Sequence, residues 1–262
     1  MQLDSPRYTL AFAAAVCVVC ALLVAGSSVL LRDRQQANKL LYLQKNVLQA
    51  TGLVAPGERL RDAEIVQLFD ENIRPRLVEL ATGEYVQHPE VAPERYDQRR
   101  ARADPARSRP APPNLARVKR VPDVGLVYLV MRGGRATQVV IPIEGLGLYG
   151  TLYGFIALDR DLATVRGIAF YENRETPGLG GEVDNPNWRA LWPGRKALGE
   201  DGSPRIRLVK GVAGPPEKNP YQVDALSGAT ITSNGVTRML DFWLGEHGFG
   251  PYLARLRAQG GP

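Results

Sequence analysis

Val124-Gly125-Leu126-Val127-Tyr128-Leu129-Val130-Met131, then Arg132-Gly133-Gly134-Arg135, then Ala136-Thr137-Gln138-Val139-Val140-Ile141-Pro142-Ile143: this stretch decides the fold class. Both flanks are rich in β-branched and aromatic residues, and the glycine pair between them supplies the positive φ that a tight hairpin turn demands. Thr151 to Leu158 and Thr164 to Tyr171 repeat the arrangement around Asp159-Arg160-Asp161, and Arg205 to Val209 reads as one more short strand. Successive hairpins with helices towards the ends of the chain predict an α+β fold, a mainly antiparallel sheet domain with flanking helices.

The helices come from 3.6-residue periodicity. Lys39 to Leu48 reads as a helix closed by Gly52 as its C′ residue, either separate or an outward continuation of the apolar segment before it. Asp62 is placed to cap a second helix with Ile65, Leu68, Phe69 and Ile73 as its apolar stripe and Pro75 as its stop. Near the end of the chain Val236, Met239, Leu240 and Trp243 form a third stripe, with Thr232, Ser233 or Asn234 available as N-cap.

From Leu10 to Leu31 no charge interrupts an apolar run long enough to cross a bilayer as a helix. A cleaved signal peptide competes, because Val24-Ala25-Gly26-Ser27 offers small residues. The run exceeds a typical signal core and continues through Val29-Leu30-Leu31, which favours a retained anchor. Cys17 and Cys20 both lie inside this span, so the remainder of the chain has no disulfide, and their spacing there reads as packing rather than metal chemistry. Arg7 precedes the span and Arg32, Arg34 and Lys39 follow it, a small bias that by the positive-inside rule places the remainder in the cytoplasm.

The chain of 262 residues carries a net charge of +6, concentrated in one segment that holds Arg95, Arg99, Arg100, Arg102, Arg107, Arg109, Arg117, Lys119 and Arg120 among proline and alanine. Such a composition predicts a solvated loop, near lipid headgroups. Asp97, Asp104 and a single aromatic, Tyr96, argue against a nucleic-acid arm. The expected organisation is therefore an N-terminal tail 1–9, a transmembrane helix 10–31, a helical membrane-proximal segment 32–81, a basic Pro/Arg-rich loop 82–122 and a sheet domain 123–255.

Gly145-Leu146-Gly147-Leu148-Tyr149-Gly150 matches the dinucleotide fingerprint, with Glu172 about twenty residues on, yet strand-like sequence follows where a helix is required. These glycines predict a bend between strands, or a backbone surface that a flat group can approach. His88, beside Pro89, and His247, at the last turn of the closing helix, are the only histidines. No zinc spacing, nucleophile elbow or P-loop occurs, so no metal site is expected and the chain working alone does not read as an enzyme.

Two stretches remain. Asp224-Ala225-Leu226-Ser227-Gly228-Ala229-Thr230-Ile231-Thr232-Ser233-Asn234-Gly235 sets small hydroxylated residues and glycine before a helix; it reads either as an ordinary capped helix or as an anion site with Thr230 at the positive end of the dipole. Tyr171 to Glu182 contains Pro177-Gly178, a turn in which Gly178 takes positive φ, and reads either as a loop or as a pocket edge offering amides and Glu175 to a heteroaromatic ligand.

Ser227-Gly228-Ala229-Thr230 after Asp224, with Glu175-Thr176-Pro177-Gly178-Leu179-Gly180-Gly181 and a single anchor, resembles the family formed by the C subunit of the Na⁺-translocating NADH:quinone oxidoreductase. The likeness extends to Leu148 through Phe155, Asn185 to Trp188, Leu191 to Gly194, and Phe242 through Pro251, and is least in the basic segment. It implies that 123–255 is an FMN-binding domain and that FMN is attached through a phosphoester to Thr230 by a flavin transferase. Ser227, Gly228 and Ala229 would stand beside the phosphate, with Glu175, Thr176, Gly178, Leu179, Gly180, Leu148 and Tyr149 around the ring. It further implies an electron relay within a complex of six subunits, among them membrane, flavin and iron–sulfur proteins, in the bacterial inner membrane, with the soluble domain in the periplasm. That side is opposite to the one the charge count gives. The G subunit of the Rnf electron-transport complex is similar in motif and anchor, but the Glu182 to Trp188 run follows the Na⁺-pump pattern. An unflavinylated structural subunit is the further alternative.

Overall fold

The computed structural model describes residues 6–55, 57–87 and 91–262; His88 lies outside them. The chain divides into two compact units, Met1–Tyr42 and Leu43–Pro262. In the first unit the described residues are all helical, part of α1 (Pro6–Ala50), and its most apolar window has a mean hydropathy of 2.6 with none of it buried. The helix from Lys39 is the continuation of the apolar one. It closes as expected on Gly52 (φ 74°), with Leu53 N–H donating to Leu48 O at 3.1 Å.

The second unit is built on one antiparallel six-stranded sheet in the order β2-β1-β5-β6-β7-β8. Its strands are β1 (Ile73–Glu79), β2 (Tyr85–Val86), β5 (Val124–Arg132), β6 (Arg135–Leu146), β7 (Thr151–Asp159) and β8 (Val165–Glu172). Two small pairs accompany it: β3 (Ser108–Pro110) antiparallel with β4 (Arg120–Pro122), and β9 (Arg207–Val209) parallel with β10 (Gln222–Asp224). Gly133 and Gly134 turn β5 into β6 at φ 57° and 77°, as the glycine pair predicts.

Both faces of the sheet are covered, which is why its strands read as near-continuous apolar runs rather than as a clean alternation. Val139, Ile141 and Ile143 of β6 and Leu152, Ile156 and Leu158 of β7 face one core, which holds Val236, Met239, Leu240 and Trp243 of α5 (Thr230–Leu244) and Leu253 of α6 (Gly250–Ala258). On the other face Phe69 of α2 (Asp62–Asn72) begins an edge-to-face ladder through Tyr128 to Phe155, which stacks in turn on Tyr171. The short helices α3 (Gln98–Ala103) and α4 (Pro186–Arg189) complete the layers.

The expected bounds and several local expectations need correction. The sheet does not begin at 123 but takes in β1 and β2 from the segments expected at 32–81 and 82–122. Asp62 is the first residue of α2 and not its cap; Arg61 precedes the helix, and its N–H is taken by Glu64 at 2.8 Å. Pro75 does not stop the helix but lies within β1, opposite Tyr128. It is tolerated because β2 pairs only Leu77 and Val78, leaving β1 an edge beside Pro75. His247 lies beyond α5, which ends at Leu244, so it is not in the helix's last turn. The basic segment is no solvated loop: it carries α3, β3 and β4, and buries Ala101, Ala116, Val118 and Val121. Its arginines reach carboxylates of the sheet, Arg99 on Glu172 at 2.5 Å and Arg102 on the buried Glu144. Burial pushes the Glu144 carboxyl upward, against the pull of Arg102.

Candidate functional site

The β9–β10 pair delivers the chain to the start of α5. Arg207 of β9 pairs with Asp241 of α5 at 2.5 Å, Leu208 N–H donates to Thr237 Oγ1, and Ala225 N–H donates to Val209 O. Asp224 is fixed at both ends, its carbonyl accepting from Trp188 Nε1 at 2.9 Å and its Oδ1 from Ala213 N–H at 2.8 Å. A tight turn follows, with Ala229 N–H bonded to Leu226 O and Gly228 at φ 70°.

Thr230 is itself the first residue of α5, and Ala229 precedes it with φ −124° and no side-chain cap. The expected caps Thr232 and Ser233 are inside the helix and buried. Ser233 Oγ donates to Ala229 O and accepts from Leu226 N–H, both at 3.0 Å, clamping the turn onto the first helical turn. Thr230 and Ile231 are left exposed at a helix end that no side chain neutralises. An anion at such an end gains about 0.3–1 kcal/mol from the dipole, in addition to direct bonds to the open amides.

Glu175 ties the surroundings together. Only 7% exposed, its carboxylate accepts from Leu148 N–H at 2.9 Å and Tyr149 N–H at 3.0 Å through Oε1, and from the wholly buried Thr232 hydroxyl through Oε2. Three glycines make room for this knot. A Cβ on Gly147 would lie 2.5 Å from Glu175 Oε1, one on Gly180 2.4 Å from Oε2, and one on Gly235 2.4 Å from Leu146 O. The 147–150 turn and the 175–181 loop are thereby pinned to the first turns of α5.

Against this buried knot stands a set of exposed apolar side chains: Leu148, Tyr149 (66% exposed), Leu179 and Ile231. Leu179 follows the turn at Pro177-Gly178, where Gly178 has φ 78° as expected and Leu179 N–H returns to Thr176 O at 3.1 Å. Its Cδ2 would be 3.0 Å from a Cβ on Gly228, so the loop touches the turn that presents Thr230. Ser227, Gly228, Thr176 and Gly178 are exposed at the same place, while Ala229 and Gly180 are buried. The structure thus gathers the residues singled out in the sequence around one helix end. Glu175 differs from the rest, being turned inward onto two amides and a hydroxyl. In the sequence Thr232 reads as a helix cap, Gly147 as part of a bend and Gly235 as part of the run before the helix; their common role around Glu175 carries no local signal. Gly147 and Gly150 form the bend between β6 and β7, with Gly147 N–H donating to Gly150 O at 2.8 Å, while Gly145 is paired with Leu152 inside the sheet, and no helix follows.

The family model described as FMN-binding domain matches residues 147–245, which spans the 147–150 turn, the Glu175 loop and the whole of α5. Over 261 residues the chain is 44% identical to the C subunit of the Na⁺-translocating NADH-quinone reductase of Vibrio campbellii, covering 98% of this chain and 97% of that protein. The chain belongs to this C-subunit family. The Pseudomonas aeruginosa member is 43% identical over 257 residues, with 97% of each chain covered. Among solved structures of the family, Shewanella oneidensis NqrC matches with a TM-score of 0.76 at 34% identity, covering 85% of this chain and 99% of that one. Family membership and the α+β architecture expected from the hairpins therefore agree.

Proposed function

We propose that this chain is the membrane-anchored, flavin-bearing subunit of a Na⁺-translocating NADH-quinone reductase, with FMN held as a phosphoester on Thr230. The observation that carries the attachment point is the contrast among neighbouring hydroxyls. Thr232 and Ser233 are buried and bonded within the fold and the exposed Ser227 lies in the turn before the helix, whereas Thr230 stands exposed on the uncapped end of α5 itself. As the Thr230 Oγ1–phosphorus bond forms, the bond from phosphorus to the oxygen leaving group of the flavin nucleotide donor used by the transferase breaks, and that group takes the hydroxyl proton. The peptide thereby gains FMN less one water, and the phosphodiester anion would rest at the helix N-terminus. Ser227 and the open amides of the first turn supply donors for its remaining oxygens.

The residues present fit the group. Leu148, Tyr149, Leu179 and Ile231, apolar side chains that the folded chain leaves uncovered, would hold a flat heteroaromatic ring extending from Thr230. Thr176, Gly178 and Gly180 shape the loop beside it. When bound, the flavin accepts electrons from one partner and passes them to another; the protein's part is to fix its position and surroundings.

The apolar part of α1 would span the inner membrane once, with the 43–262 unit in the periplasm, where the flavin transferase works in the family the sequence resembles. The remaining members of the complex, including its membrane, flavin and iron–sulfur proteins, are the partners. A fluorescent band at this subunit on a denaturing gel, lost in Thr230→Val, tests the assignment; a fluorescent band that persists in that variant overturns it.

A further inference from the structure

The basic segment contains a feature that flavin attachment does not use. Between β3 and β4 the chain is held as a rigid finger. Asn114 Nδ2 donates to Pro112 O and Val118 O, each at 2.8 Å, and Asn114 Oδ1 accepts from Val118 N–H at 3.0 Å. Ala116 and Val118 are buried in the core, and Arg117 between them is held at φ 58°, a conformation that a residue with a side chain rarely adopts. The result is that Leu115 (74% exposed), Arg117 and Lys119 all project outward. Such backbone strain persists only where the surrounding structure enforces it.

Arg117 and Lys119 border a cleft of about 920 Å³ whose walls also include Arg102, Arg120, Glu144 and Leu146, while Leu115 stands exposed on the finger outside its lining. Four cations meet one carboxylate, and Glu144 is already committed to Arg102. Arg120 is tied to Ser108, through its Nε to Oγ at 2.8 Å. Among the described residues no carboxylate lies within ion-pair distance of Arg117 or Lys119, while Arg107 and Arg109 of the same segment do have such partners. Leu146 and Thr151, which also line the cleft, are the two residues that flank the 147–150 turn of the cofactor site.

We propose that this cleft docks an acidic segment of another protein of the complex, with Arg117 and Lys119 pairing its carboxylates and Leu115 covered by its apolar side chains. Charge complementarity identifies the occupant: a pre-ordered finger with two unmatched cations around an exposed leucine suits a negative peptide surface with an apolar centre. Because the finger is fixed before contact, docking costs little ordering entropy. Because Leu146 and Thr151 flank the turn that carries Leu148 and Tyr149, a partner seated in the cleft would lie beside the residues proposed to hold the flavin ring, where an electron donor or acceptor would approach. This inference rests on the reading of the chain as one member of a larger complex.

The test uses the assembled complex with the full chain. A zero-length carbodiimide reagent, which joins an amine only to a carboxylate in contact with it, is applied and the cross-linked peptides are identified by mass spectrometry. Lys119 is expected to be joined to an Asp or Glu of another protein of the complex. The double variant Arg117→Glu/Lys119→Glu is expected to reduce recovery of this chain with the complex about tenfold, and more at low than at high salt. Lys119→Glu alone, which leaves the backbone at Arg117 undisturbed, is expected to show the same effect in smaller degree. Unchanged recovery together with no cross-link from Lys119 overturns the proposal. So does protection of Lys119 from amine labelling in phosphatidylglycerol but not phosphatidylcholine nanodiscs holding this chain alone, which assigns the cations to lipid. The flavin band is read on the same samples, so failure of the docking surface and failure of the flavin assignment are seen separately.

Discussion

Replacing Glu175 by alanine removes the acceptor that holds two loops to α5. Hydrogen bonds to a charged group contribute roughly 1.5–3 kcal/mol each, and this carboxylate accepts three. The full sum is not expected. Leu148 and Tyr149 stand at the surface, where water can replace the lost acceptor at their amides. A net loss of about 2–4 kcal/mol remains, a large part of a typical domain's stability. Glu175→Gln keeps an oxygen for the two amides and places an N–H₂ group at the Thr232 hydroxyl, so it is expected to cost about 1 kcal/mol. The assay is urea unfolding of the full chain in detergent, followed by the fluorescence of Trp188, Trp192 and Trp243, all of which report on the 43–262 unit. With a slope of about 2 kcal/mol per molar urea, the alanine variant moves the midpoint down by about 1–2 M and the glutamine variant by about 0.5 M. A midpoint for Glu175→Ala within about 0.2 M of the parent refutes the knot.

Gly235→Ala sets a Cβ 2.4 Å from Leu146 O, with backbone on both sides, and is expected to cost about 1–3 kcal/mol in the same unfolding assay. Leu148→Ala and Leu179→Ala remove exposed side chains and are expected to leave stability within about 0.5 kcal/mol while altering the fluorescence and visible circular dichroism of the bound flavin. For Asp161, burial pushes the carboxyl up, but bonds from the Thr164 hydroxyl and N–H, Lys196 and Ala163 N–H outweigh it and hold the group well below its ordinary value. A depressed carboxyl contributes stability above its unfolded value of 3.8 and loses it as pH falls towards the folded one. Asp161→Asn is therefore expected to melt lower than the parent at neutral pH, with the gap closing below about pH 3.

The sheet was legible because its information is local: apolar runs on both sides of Gly133-Gly134 state a hairpin without reference to the rest of the chain. β1 was hidden by Pro75, which signals a helix stop as readily as an edge strand. The folded state of the basic segment was hidden for a different reason. What holds it is Arg99 on Glu172, 73 residues away, and Arg102 on Glu144, 42 residues away, pairings that composition does not encode. The site divides the same way. Gly178 and the loop glycines announce their turns locally, whereas Thr230 is singled out by the family resemblance, the residues alone leaving an ordinary capped helix open. The inward turn of Glu175 depends on Thr232, 57 residues further along, and on amides 26 and 27 residues before it.

The bond at Thr230 is tested most directly by peptide mass measurement on this chain purified from membranes that contain the transferase. The peptide holding Thr230 is expected to be heavier by FMN less one water, fragmentation to place the added mass on Thr230, and Thr230→Val to carry none. An unmodified Thr230 peptide, or flavin found on Ser227 instead, contradicts the assignment.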